Sequence, residues 1–92
     1  MVYLISCDLN KVEKDYSEVY EAIMTASTGA WCHFFNSTWL IKSKYKSAHS
    51  VFSCIQPHLD SGDRCIVVEI ENNKQGWLDK EQWDYINKQI FS

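Results

Sequence analysis

Asp8 closes an apolar, β-prone run, Val2-Tyr3-Leu4-Ile5-Ser6-Cys7, at the point where a chain leaving a strand presents side chains to solvent or ligand. A carboxylate there has two uses: as a hard oxygen donor to a divalent cation, or as a turn former that accepts local hydrogen bonds. A second set of polar residues lies in mid-chain. Every acidic residue falls within residues 1 to 21 or 60 to 92, so the stretch between them, with Lys42, Lys44, Lys46, His33, His49 and His58, is the only part with a positive balance. In Ile41-Lys42-Ser43-Lys44-Tyr45-Lys46-Ser47 the lysines alternate with an aromatic and hydroxyls, the residue types that contact phosphates and stack on bases. Three lysines in a chain of net charge -3 also fit a solvated loop between a strand and a helix.

The remaining chemistry-bearing residues form no recognised constellation. Cys7, Cys32, Cys54 and Cys65 contain no CxxC pair and three of them stand in apolar strand segments, which reads as reduced core thiols. Cys32 and His33 are adjacent, but neighbours on a strand point to opposite faces and do not readily share a zinc ion. There is no Gly-rich phosphate loop, no HExxH and no recognised nucleophile motif. His33, on a strand among aromatics, is the candidate for proton transfer, against the commoner structural role of such a histidine.

The elements that must position these residues read in the order strand, helix, strand, strand, helix, strand. Asp15 and Glu18 have capping-box spacing, and Tyr16, Val19, Tyr20, Ile23 and Met24 make an apolar helical stripe that Gly29 ends. Trp31 to Phe35 and Thr38 to Lys42, separated by Asn36-Ser37, read as a hairpin. Strict alternation would put Cys32 and Phe34 opposite Ile41 and Trp39 on the helix-covered side, leaving Trp31, His33 and Phe35 on the other face as an interface for a second subunit. Ser47 caps a second helix with the stripe Ala48, Val51, Phe52 and Ile55, ended near Gln56 by Pro57. A last strand follows over Arg64 to Glu71. Leu78, the Asp79 cap with Gln82 three residues later, and Trp83 announce a tail helix to about Ile90, with Trp77 expected to pack beside it. This order is that of an α+β, ferredoxin-like βαββαβ sandwich with an added C-terminal helix, built as a single domain over residues 1–92.

A domain of 92 residues buries roughly 60% of its unfolded surface, a small core for four Trp, five Tyr and four Phe. Some aromatics are therefore expected at an interface, and a symmetric homodimer is the expected assembly. No apolar run reaches the roughly 18 residues of a membrane span, and no basic segment followed by a long apolar one opens the chain; the expectation is a cytoplasmic protein without membrane contact.

The segments Leu4-Ile5-Ser6-Cys7-Asp8-Leu9-Asn10, Gly29-Ala30-Trp31-Cys32-His33, Ser37-Thr38-Trp39-Leu40-Ile41 and Asp60 to Glu69, with its Asp-x-x-Asp-Arg turn, resemble small bacterial proteins labelled SinR family. Those are similar in element order to the small ferredoxin-like nuclease subunit of CRISPR spacer acquisition and to virulence-associated protein D, a toxin ribonuclease. The resemblance implies a nucleic-acid-directed dimer, acting on RNA or DNA, in which Asp8 is the catalytic and metal-binding carboxylate near the dimer axis. It further implies that Mg²⁺ lies between the paired carboxylates and activates water against a phosphodiester. The basic residues expected after Asp8 are reduced here to Lys11 and Lys14. The other expectation is a non-catalytic module that keeps the fold and offers Trp31, His33, Phe35 and Trp77 to a protein partner.

Overall fold

The computed structural model describes residues 1–9 and 15–92. Asn10, Lys11 and Lys14 lie outside the described residues. The strands are β1 (Val2–Asp8), β2 (Trp31–Phe35), β3 (Thr38–Lys42) and β4 (Arg64–Ile70); the helices are α1 (Ser17–Ala26), α2 (Ala48–Ile55) and α3 (Lys80–Tyr85). The four strands form one sheet in the order β2-β3-β1-β4, and every neighbouring pair is antiparallel. The protein is thus a mixed α+β domain with β1 and β3 at the centre of its sheet.

Alternation along β1 explains its central place. Tyr3, Ile5 and Cys7 are buried and join Trp39 and Ile41 of β3 beneath α1 and α2, whose Val19, Ala22, Ile23, Ala26, Val51 and Ile55 complete the main core. Each fully buried aliphatic side chain of this set is worth about 1.5–3 kcal/mol of transfer free energy. The polar group of Tyr3 is not abandoned inside, because its hydroxyl donates to the Tyr45 carbonyl at 2.6 Å. Ser43, also buried, donates to the Ala26 carbonyl at 2.8 Å and so ties the end of β3 to the end of α1.

Helix boundaries follow local capping, with one exception. Ser47 caps α2 by accepting from the Ser50 amide, and Pro57 turns the chain into a 3-10 turn at Gln56–His58, as its missing amide requires. The capping box at Asp79 and Gln82 forms at the start of α3. The Asp15/Glu18 box does not: α1 begins at Ser17 after Tyr16, and Asp15 instead accepts from the Ser17 amide at 2.9 Å.

The second face of the sheet is half covered. A π-helical turn, Ile86–Ile90, continues α3 and lays Ile86 and Ile90 on Cys32, with Val2, Phe34, Leu40, Leu78 and Phe91 around them. The β4 side of the same face stays open: Ile66 and Val68, level with Ser6 and Leu4, are 59% and 42% exposed. Trp77 departs from expectation. It is fully exposed rather than packed beside the tail helix.

The hairpin corrects the expected strand faces. Phe35 pairs with Thr38, but Cys32 pairs with Leu40 and Trp31 with Ile41, so one extra residue is absorbed between Cys32 and Phe35. Such a bulge sets two residues against one and reverses the side-chain faces beyond it. Cys32 and Phe34 therefore join the second face. Trp31 and His33 turn to the helix side, where His33 stacks on Trp39 at 3.9 Å and 11° and Tyr20 of α1 leans on both rings. Of the proposed interface trio only Phe35 remains on the second face.

Candidate functional site

Asp8 ends β1 exposed, opposite Arg64 at the start of β4, on an open cleft of about 310 Å³. The cleft is also lined by Ser37 of the hairpin turn and by Cys7 and Cys65. Its shape follows from strand pairing. Cys7 donates its amide to the Ser37 carbonyl at 2.9 Å, which holds the hairpin turn beside the end of β1, while the β1/β4 register sets Cys7 against Cys65. The two sulfurs lie 2.8 Å apart. The contact with Cys65, together with burial and the nearby Asp63, pushes the Cys7 thiol well above the ordinary thiol range, and the same contact draws Cys65 below it.

The lysines are at the other end of the sheet. Lys42 pairs with Val2, six residues before Asp8, a separation of about 20 Å along a strand. Lys42, Lys44 and Lys46 surround a shallow opening with Thr28 and Gly29, and the Thr28 hydroxyl accepts the Lys44 amide at 2.6 Å. Lys42 lays its stem over Gly29 and donates to the carbonyl and hydroxyl of Ser92, both at 3.2 Å, whereas Lys44 and Lys46 are exposed. The carboxylate and the lysines are consequently not parts of one pocket, and a single phosphate cannot touch both.

His33 is held by the fold. Besides its stack on Trp39, its Nε2 hydrogen-bonds the Asn36 carbonyl at 3.0 Å across the hairpin turn. Its ring thus braces the bulged strand against α1. His58, in the turn after α2, faces Glu18 of α1 at 3.5 Å, and His49 is exposed on α2.

A further recess lies elsewhere again, a groove of about 450 Å³ on the second face between the sheet and the segment leading to α3. Leu4, Phe34, Phe35, Leu40, Trp83 and Phe91 make it almost wholly apolar. Among the described residues that line it Glu71 is the one carboxylate, and its chemistry is that of a surface for apolar side chains.

A Mg²⁺ ion needs several oxygen ligands, commonly one or two carboxylates completed by water and phosphate. Among the described residues no three His, Cys, Asp or Glu side chains converge on a common point. Among the described residues, those lining the cleft supply a single carboxylate beside two thiols, which are soft ligands poorly suited to a hard cation. The described residues of one chain do not by themselves complete a Mg²⁺ site.

Sequence reasoning located Asp8 but missed its neighbours. Cys7-Asp8 and Arg64-Cys65 are mirrored pairs of residues at the end of one strand and the start of another, and antiparallel pairing of those strands is the only added fact that brings all four together. The groove had no comparable signal, because it depends on where the tail helix lies. Among the described residues no helix is long and apolar enough to cross a membrane. In comparisons with known proteins, no family model, no curated sequence and no solved structure matches the chain.

Proposed function

We propose that this chain is a ferredoxin-like domain of the CRISPR-adaptation and virulence-associated protein D type, a nucleic-acid-directed protein that works as a symmetric dimer. The observation that carries the reading is Asp8: an exposed carboxylate at the end of a central strand, on an open cleft, in a sheet ordered β2-β3-β1-β4 with α1 and α2 on one face. Two helices on one face of a four-stranded antiparallel sheet support the split βαβ reading. The open β4 side of the second face, with Ile66 and Val68, supplies apolar surface for the second copy. Lys44 and Lys46 supply phosphate contacts remote from Asp8.

Metal-dependent cleavage is the stronger form of this reading, and in it the Asp8 carboxylates of two copies share the ion, since the described residues of one chain are short of ligands. The test is a mobility-shift and cleavage series on single-stranded RNA and on DNA, with and without Mg²⁺, for wild type and Asp8→Asn. Binding by both proteins with cleavage by the wild type alone supports the catalytic form. Binding without cleavage by either limits the function to recognition, and the absence of binding overturns the reading.

One observation favours a second reading, a non-catalytic module for a protein partner. Phe35, Ile66, Val68 and Trp77 are all exposed on or beside the second face, apolar surface available to a protein partner. Sedimentation separates the two. A dimer that Ile66→Asp dissociates supports the first reading; a monomer at about 100 μM, where all but weak association would be seen, supports the second.

A further inference from the structure

Cys7 and Cys65 are directly opposed on β1 and β4, and the cleft that carries Asp8 opens onto both. The Cys7 amide points away from β4 to the hairpin turn before β3, where the Ser37 carbonyl accepts it, so Cys7 and Cys65 face each other as a pair that exchanges no backbone hydrogen bonds. In antiparallel sheets such pairs bring Cα atoms to about 4.5 Å and side chains closest together. That spacing lies within the range of about 4.4–6.8 Å that a disulfide spans without backbone movement. The thiols are already in contact, with their sulfurs 2.8 Å apart.

The two cysteines differ in access. Cys7 is buried, 6% exposed, and Cys65 is half-buried at the cleft. An incoming reagent therefore meets Cys65 first, with Cys7 behind it as the resolving thiol. Cys32 sits under the tail helix on the opposite face and Cys54 is on α2, so neither has a comparable partner.

From this geometry we propose that Cys7 and Cys65 form a reversible thiol–disulfide site that exchanges with small oxidised disulfides of the glutathione class. The Cys65 sulfur, as thiolate, attacks one sulfur of the small disulfide; a protein–small-thiol bond forms and the other half leaves as thiolate, taking up the proton Cys65 released. The Cys7 sulfur, likewise deprotonated, then attacks Cys65, the mixed disulfide breaks and the second small thiol leaves. The protein dithiol is oxidised by two electrons, and one small disulfide is reduced to two thiols. The bond formed clamps the end of β1 to the start of β4, directly beside Asp8 and Arg64. A dithiol reductant reverses it by the same exchanges.

The site is tested with the folded chain, reduced and then incubated with oxidised glutathione, and read by intact mass and peptide mapping without reductant. The expected product is a monomer that has lost two hydrogens, contains a Cys7–Cys65 peptide pair and is restored by dithiothreitol. The double variant Cys32→Ala, Cys54→Ala is expected to form the same product at the same rate, and Cys7→Ser is expected to stop at a glutathione adduct on Cys65. Should Cys7→Ser fail to fold, the double variant alone still reads the bridge. A product bridged through Cys32 or Cys54, a bridge between two chains, or a native protein that keeps four free thiols while the unfolded chain oxidises would each overturn the proposal.

Discussion

Removal of the Trp39 side chain tests the arrangement on which the helix-side core and the bulged hairpin both depend. Trp39 is 4% exposed; His33 stacks on it at 3.9 Å, Tyr20 lies at 5.7 Å and Trp31 at 5.5 Å. Truncating a buried Trp to Ala costs about 3–5 kcal/mol through lost transfer free energy and the cavity left behind. Its aromatic pairs are worth about 0.5–1.5 kcal/mol each beyond burial, and so push the expected loss toward the upper end. A domain of this length has a total stability of roughly 5–14 kcal/mol. For domains of this size 1 kcal/mol shifts the midpoint by about 4–8 °C, so Trp39→Ala is expected to lower Tm by at least about 12 °C or to leave the chain unfolded. His33→Ala, which removes one ring from the stack, is expected to cost about 0.5–1.5 kcal/mol. Thermal unfolding followed by circular dichroism measures both, and a double-mutant cycle against Trp39→Phe measures whether the two rings are coupled. A Trp39→Ala midpoint within about 3 °C of wild type would refute the burial argument. Strict additivity of the His33 and Trp39 substitutions would refute the stack, and with it the face to which the bulge turns His33.

Burial pushes the Cys32 thiol up to about 11, so the folded chain holds a proton that the unfolded chain releases near the ordinary thiol value. This contribution is fully present below about pH 8.5 and is lost as pH rises through 11. Unfolding midpoints at about pH 8 and about pH 10 should therefore fall, and fall less in Cys32→Ala; an equal fall would exclude Cys32 as a cause. Lys44→Ala with Lys46→Ala should weaken single-stranded RNA binding and reduce the slope of log affinity against log salt by about 1.4, while Lys42→Ala, its ammonium engaged by Ser92, should change it less. An unchanged slope in the double variant would place the phosphates elsewhere. Asp79→Ala should cost about 0.5–2 kcal/mol of cap energy and loosen the tail helix over Cys32, so alkylation of Cys32 should accelerate without change at Cys54. An unaltered Cys32 rate would show that the helix holds to the sheet without its cap.

What the sequence made legible were features that act over a few residues. The opening strand that Asp8 closes, the Ser47 and Asp79 caps and the stop at Pro57 each rest on local geometry, and each is found in the structure. The Asp15/Glu18 spacing is equally local and still misleads, because the same carboxylate can bond the Ser17 amide without becoming the cap. The bulge in β2 is of another kind. Residues Trp31 to Phe35 read as apolar whichever way they face, so alternation carries no information about register there, and only packing against Tyr20 and Trp39 on one side and Ile86 and Ile90 on the other selects the faces.

The same limit explains why the candidate sites fall apart from one another. Asp8 and the lysines were read as chemistry belonging to one chain, and nothing in their spacing states a distance. The antiparallel pairing of β1 with β3 decides it: Lys42 returns to the level of Val2, and the lysine loop opens at the end of the sheet where β1 starts rather than where it finishes. A nucleic acid bound to both ends of one chain must cover about 20 Å, close to six steps of a duplex at about 3.4 Å each. Contacts so far apart contribute independently unless the ligand is stiff. The loss of Lys44 and Lys46 should then lower affinity equally in wild type and in Asp8→Asn, while the Asp8 substitution should leave the salt dependence untouched.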